Sequence, residues 1–153
     1  MLTVAQASAL ATAVTSDSTL NTLANANGFQ QIADAMNSLS SPAVAVWIPN
    51  VATTKLLDAI IAADMPTTAA LIGWLQMMLS VVTVNAANAN VRAGFTSCFS
   101  GKTSLTNLTA AGQQTATRFE ALSAFITTAA PANVSSTFGI RVTANDVQLA
   151  LGK

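Results

Sequence analysis

The stretch Cys98–Ser104, CFSGKTS, decides between two folds. Its last four residues, Gly101-Lys102-Thr103-Ser104, end as a phosphate-binding P-loop ends, which would make the chain an α/β nucleotide binder. The same letters also suit a turn between two helices. A P-loop requires glycine, four residues, then Gly-Lys-Ser/Thr, so that successive backbone N–H groups curl around phosphate. Counting back from Gly101, the first glycine belongs where Thr96 stands, and Gly94 is two places early. The preceding residues put Val91, Phe95 and Cys98 on one side at helical spacing, without the β-branched run of a buried strand. The spacing therefore predicts a helix ended by Gly101 and a second capped by Thr103 or Ser104. No nucleotide and no other cofactor is expected.

Working outward, helical spacing covers most of the chain. Upstream, Val4, Ala7, Ala11 and Val14 fall on one face of a first helix. Ser16 or Ser18 can cap a second helix carrying Leu20 and Leu23, with Gly28 suited to stop it. Phe29, Ile32, Met36 and Leu39 form a stripe that ends before Pro42. The period then changes: PAVAVWIP, between Pro42 and Pro49, alternates Val44, Val46 and Ile48 and reads as extended. Leu56, Leu57, Ile60 and Ile61 return to helical spacing, Pro66 breaks it, and an apolar helix runs from about Thr67 to Val82. Asn85 can cap the helix that leads into CFSGKTS. Downstream, Leu105, Leu108, Gly112, Thr115, Phe119, Leu122 and Ile126 make a heptad-like seam weakened by Gly112 and Thr115. A linker leads to TFGIRV, a short strand, and then to a last helix capped by Thr143 or Asn145. The expected architecture is mainly α: a helical bundle of about five to seven helices with extended segments and a short C-terminal strand. It forms one α-rich domain over residues 1–153, with 42–50 as an extended arm and 129–143 as linker and strand.

Composition points the same way. The chain is 52% hydrophobic but only 8% charged, and six bases balance six acids. A neutral, charge-poor surface repels its neighbours weakly and tends to associate. Lys55, Arg92, Lys102, Arg118, Arg141 and Lys153 stand singly, so no basic patch for direct nucleic-acid binding is expected. The N-terminus lacks a basic n-region, which argues against a secretory signal. The 27 residues Met65–Val91 carry no charge, but their apolar centre is short and contains Gln76 and Ser80. A buried helix in a bundle or oligomer is expected there ahead of a membrane span.

Catalytic constellations are missing from the sequence. There is no histidine, which removes the usual general base, the usual zinc site and every Ser/Cys–His pair. No two of the carboxylates Asp17, Asp34, Asp58, Asp64, Glu120 and Asp146 are three or four residues apart. Asp58 follows Lys55 by three residues, as in a solvated helix pair. Cys98, flanked by Phe95 and Phe99, reads as a buried structural thiol. No catalytic, cofactor-binding or metal-ligating residue is expected, and the chain does not read as an enzyme. Trp47 and Trp74 are expected as core or interface anchors.

The stretches VRAGFTSCFSG and QQTATRFEALSAFITTAAPANVSSTFGIRVTANDVQLALGK resemble the C-terminal half of a family of small, mostly uncharacterised tailed-bacteriophage structural proteins. The matching residues are Arg92, Ala93 and Gly94, then Thr117, Arg118, Glu120, Ala121 and Leu122, then Gly139, Asp146 and Val147. Upstream, Asn37, Pro42 and Trp47 are similar to the family's asparagine, proline and tryptophan stretch. The chain departs from that pattern at Ile48-Pro49-Asn50 and at Gln113-Gln114, where the family carries basic residues. The resemblance implies a virion or morphogenesis protein, assembled in the host bacterial cytoplasm. Its partners would be copies of itself and portal, capsid or tail proteins. A head–tail connector or adaptor of the neck is the leading expectation; a capsid decoration protein and a membrane-associated helical protein are the alternatives. The expected interface is Val44, Val46, Trp47 and Ile48 with Phe138 and Ile140, acting as arms that add to a neighbour's sheet edge.

Overall fold

Local caps and apolar spacing set the first three helices. The computed structural model describes residues 1–127 and 134–153. Helix α1 (Val4–Ser16) starts on a capping box in which the Thr3 hydroxyl accepts from Gln6 N–H and the Gln6 side chain accepts from Thr3 N–H. Its buried positions are Leu10 and Val14, whereas Val4, expected on the same face, is exposed. Helix α2 (Ser18–Asn25) is capped by Asp17, not by Ser16 or Ser18, because one carboxylate oxygen accepts from both Thr19 and Leu20 N–H. Gly28 does not supply the left-handed stop. Asn27 does, with φ 58°, a conformation asparagine tolerates, and Gly28 begins α3 (Phe29–Asn37). Ile32 and Met36 are buried on α3, while Leu39 lies beyond the helix end and is exposed.

From residue 45 the chain builds a second set of elements. Strand β1 (Ala45–Trp47) pairs with β4 (Gln113–Thr115), and β2 (Val51–Ala52) pairs antiparallel with β3 (Thr83–Val84). Between and after them come α4 (Thr53–Asp58), a 3₁₀ turn (Ala62–Asp64), α5 (Ala69–Leu79), α6 (Ala89–Phe99) and α7 (Thr103–Ala111). Asn88, rather than Asn85, caps α6 by accepting from Asn90 N–H. The heptad-like seam expected from Leu105 to Ile126 does not form. Helix α7 stops at Gly112, a poor helix former, and Gln113–Thr115 go extended to meet β1.

The last stretch contains β5 (Ile126–Thr127), which pairs antiparallel with β6 (Val134–Ser135), and α8 (Ala144–Ala150). The strand expected at TFGIRV is instead a turn and irregular chain, with Gly139 at φ 76°; the short strand comes earlier, at β6. Thr143 caps α8 in a capping box with Asp146, as the sequence suggests. The part of the expected linker over 129–133 lies outside the described residues. The fold is mainly helical, with eight α-helices among the described residues where about five to seven were expected.

Two compact units result, one from residues 1–44, 115–127 and 134–153 and the other from 45–114. In the first, α8 packs on α1 and α3, and Leu10, Val14, Ile32, Met36, Phe119 and Val147 form its core. The Asn37 amide brackets Val142, donating to its carbonyl at 2.7 Å and accepting from its N–H at 2.9 Å. Glu120 is buried and accepts from Thr117 N–H at 2.9 Å and from Gly139 N–H at 2.6 Å. In the second unit Val46, Val51, Leu56, Leu75, Phe99 and Leu108 are buried.

Candidate functional site

The P-loop letters occupy a helix junction. Gly101, at φ 71°, makes the turn after α6, and α7 begins two residues later. The cap does not come from Thr103 or Ser104 but from Asp64. Its Oδ2 accepts from the Ser104 N–H and hydroxyl, both at 2.9 Å, and the same hydroxyl accepts from Ile61 N–H at 2.8 Å. These two Ser104 donors, aided by the Lys102 charge, hold the Asp64 carboxyl below the usual carboxylate range, against the opposing effect of burial.

Asp17, Arg118 and Glu120 are used structurally. Asp17 pairs with Arg118 at 2.8 Å, and Glu120 binds backbone N–H groups. Arg118 and Glu120 sit in turns. The expected Lys55–Asp58 pair is not formed; Arg118–Asp17 is the one ion pair among the described residues. Cys98 is buried with its Sγ 3.8 Å from the Leu71 carbonyl, and desolvation pushes its thiol pKa up, away from nucleophilic use. Among the described residues no three His, Cys, Asp or Glu side chains group as a metal site would require.

One residue stands apart. Arg92 lies on the inward face of α6 with Phe95 and Phe99 and is 6% exposed. Its Nη1 donates to the carbonyls of Ala86 at 3.1 Å and Ala87 at 2.6 Å, and its guanidinium carbon lies 5.1 Å from the Trp47 ring centroid. Its Nε is sealed from water and has no acceptor among the described residues. An unmet buried donor costs about 1–3 kcal/mol. Desolvation lowers the guanidinium pKa, yet an arginine remains a cation at neutral pH.

Arg92 borders a cavity of about 230 Å³ lined mainly by Trp47, Leu56, Phe95, Leu105 and Leu108, with Gln113 at its polar edge. The neighbouring glycine of the Arg92-Ala93-Gly94 stretch has a steric role. A Cβ at Gly94 would sit 1.9 Å from the Trp74 ring, which packs edge-on against Phe95 at 5.5 Å. In the sequence Arg92 is one of six basic residues that stand singly. The signal was its spacing, three residues before Phe95 and seven before Phe99, on the apolar face of the same helix.

The residues expected to form an interface are placed differently from free arms. Val46 and Trp47 are buried, at 0% and 7% exposure, and β1 already pairs with β4. Val44, Ile48, Phe138 and Ile140 are half-buried. The exposed apolar surface lies elsewhere. Helix α5, AALIGWLQMML, buries only Leu75. Met77 on α5 and Leu57, Ile61, Met65, Val81 and Val82 elsewhere in the same unit are all exposed, Val82 at 87%. No helix among the described residues is long and apolar enough to cross a membrane. At 1.5 Å per residue, α5 spans roughly 16 Å against a hydrocarbon core of about 30 Å. No family model, no curated protein and no solved structure matches the chain.

Proposed function

We propose that this chain is a non-enzymatic structural subunit of a tailed-phage particle, a connector or adaptor of the neck. It would be assembled in the host bacterial cytoplasm and act by packing against copies of itself and against portal, capsid or tail proteins. The observation that carries the packing role is the apolar surface at the end of α5, where Met77 on the helix and Val81 and Val82 just beyond it are exposed. An apolar surface of this kind favours coverage by another protein, since burying a Leu, Met or Val side chain contributes about 1.5–3 kcal/mol. The near absence of charge supports the same reading, because little repulsion opposes close packing of identical subunits. The assignment to a tailed-phage particle rests on the sequence resemblance around Arg92–Gly94 and Thr117–Leu122, and the choice of the neck on the mainly helical fold of the chain.

Counting copies of the chain in purified particles by quantitative gel tests the proposal. A ring of about a dozen copies supports a connector. Hundreds following the capsid lattice would replace it with a decoration protein, and a protein missing from particles would overturn both.

A further inference from the structure

The turn between α2 and α3 holds a reactive dipeptide. Asn27-Gly28 is the only Asn-Gly pair in the sequence. A glycine leaves its own backbone nitrogen open to the side chain before it, because no Cβ shields the approach. In such a pair the Gly28 nitrogen attacks Asn27 Cγ. A new C–N bond closes a five-membered imide as the Cγ–Nδ2 bond breaks. The Nδ2 group leaves as ammonia, taking the proton that the Gly28 nitrogen gives up. Water then opens the ring at either carbonyl and leaves aspartate or isoaspartate at position 27. The step needs water alone.

The fold opposes the first step while leaving the asparagine in solvent. Asn27 is exposed and, at φ 58°, is the left-handed residue that follows α2. The backbone on both sides of it is tied back to the helix. Asn27 N–H donates to the Ala24 carbonyl at 3.3 Å and Gly28 N–H to the Leu23 carbonyl at 2.8 Å. A nitrogen must shed its proton to attack, and here that proton is held by Leu23. Lys153 fastens the same turn, its Nζ donating to the Ala24 carbonyl at 2.8 Å. We propose that Asn27-Gly28 is a self-modification site controlled by this turn: closed, the turn suppresses imide formation, and opened, it releases it. Modification is self-reinforcing. It puts a carboxylate at the partly negative C-terminal end of α2, on a chain whose formal net charge is zero. Isoaspartate also lengthens the backbone by one carbon, so the Gly28–Leu23 bond does not re-form in its original register. This goes beyond the packing role and does not depend on it.

The test incubates the full chain at mildly alkaline pH, folded in buffer and unfolded in concentrated urea. Peptide mapping by mass spectrometry and chromatography follows aspartate and isoaspartate at position 27, and far-UV circular dichroism checks each state. The expected result is conversion in urea and a rate at least about tenfold lower in buffer, since reaction waits on local opening. Hydrogen exchange at the Gly28 N–H of the folded chain should be slowed by a comparable factor. A smaller difference between buffer and urea overturns the control by the turn, as does a Gly28 N–H that exchanges as fast as in the unfolded chain. No conversion at position 27 in urea overturns the site itself. Should the buffer sample unfold at alkaline pH, both rates are taken at neutral pH.

Discussion

Arg118 and Arg92 belong to different units of the chain and are held in opposite ways. Arg118 is about two-fifths exposed and meets Asp17 at 2.8 Å, whereas Arg92 is buried with an unpaired Nε and no carboxylate partner. The contrast extends to the units themselves. In the first, the polar side chains that enter the interior are tied to specific backbone groups: Asn37 to Val142, Glu120 to Thr117 and Gly139, Thr143 to Asp146. In the second, α5 packs on α6 with Leu75 as its one buried residue, and a cation borders a cavity. Groups that satisfy one another within the chain serve folding. Groups left without an internal counterpart are where a second molecule gains most, and here they concentrate in residues 45–114.

The first way to test that contrast is to damage each core. Phe119, fully buried in the first unit and stacked edge-on with Phe125 at 5.2 Å, should lose about 3–5 kcal/mol on Phe119→Ala, read from urea unfolding. In the second unit, Gly94→Ala forces a Cβ into the Trp74 ring and should cost about 1–3 kcal/mol. The account ties that loss to one contact. Adding Trp74→Leu should therefore make the double variant lose less than the sum of the two single changes. Strict additivity would show that the close approach is not what Gly94 is for. Smaller again, Thr143→Ala removes the α8 capping box and should cost about 1 kcal/mol in thermal unfolding.

The smallest effect separates the two roles of Asp17. Its pKa is lowered first by the Leu20 N–H and then by Arg118, so its folded value lies below the unfolded one. The sign follows: its contribution is present above the unfolded value and is lost as pH falls through the depressed folded value. Melting temperature should fall on acidification below about pH 4, and Asp17→Ala should flatten part of that fall. Asp64 and Asp146, lowered in the same direction, account for part of what remains. Arg118→Ala should flatten it less than Asp17→Ala, because the cap, not the exposed ion pair, is the larger cause.

Features set by near neighbours were legible in the sequence. The Gly101 turn, the Thr143 cap, the buried thiol of Cys98 and the extended run before Pro49 each depend on residues within a few positions. Features set by distant partners were not. Asp64 caps α7 across forty residues, and β4 interrupts a helical seam because β1 offers it a ladder. Trp47 reads equally well as an arm or as a core anchor until β1 is seen paired and buried. Charge misled most at Arg92. A lone arginine is normally a surface residue, and only its place on the Phe95–Phe99 face marked it as internal.

Sedimentation velocity on the full chain and on Met77→Lys/Val82→Lys tests the packing role most directly. The account predicts that the unaltered chain forms oligomers as concentration rises. The double variant should sediment as a monomer with an unchanged far-UV spectrum, because a lysine on each exposed apolar position costs little in the monomer and opposes coverage. A chain that stays monomeric at every concentration, or a variant that associates just as well, would contradict it.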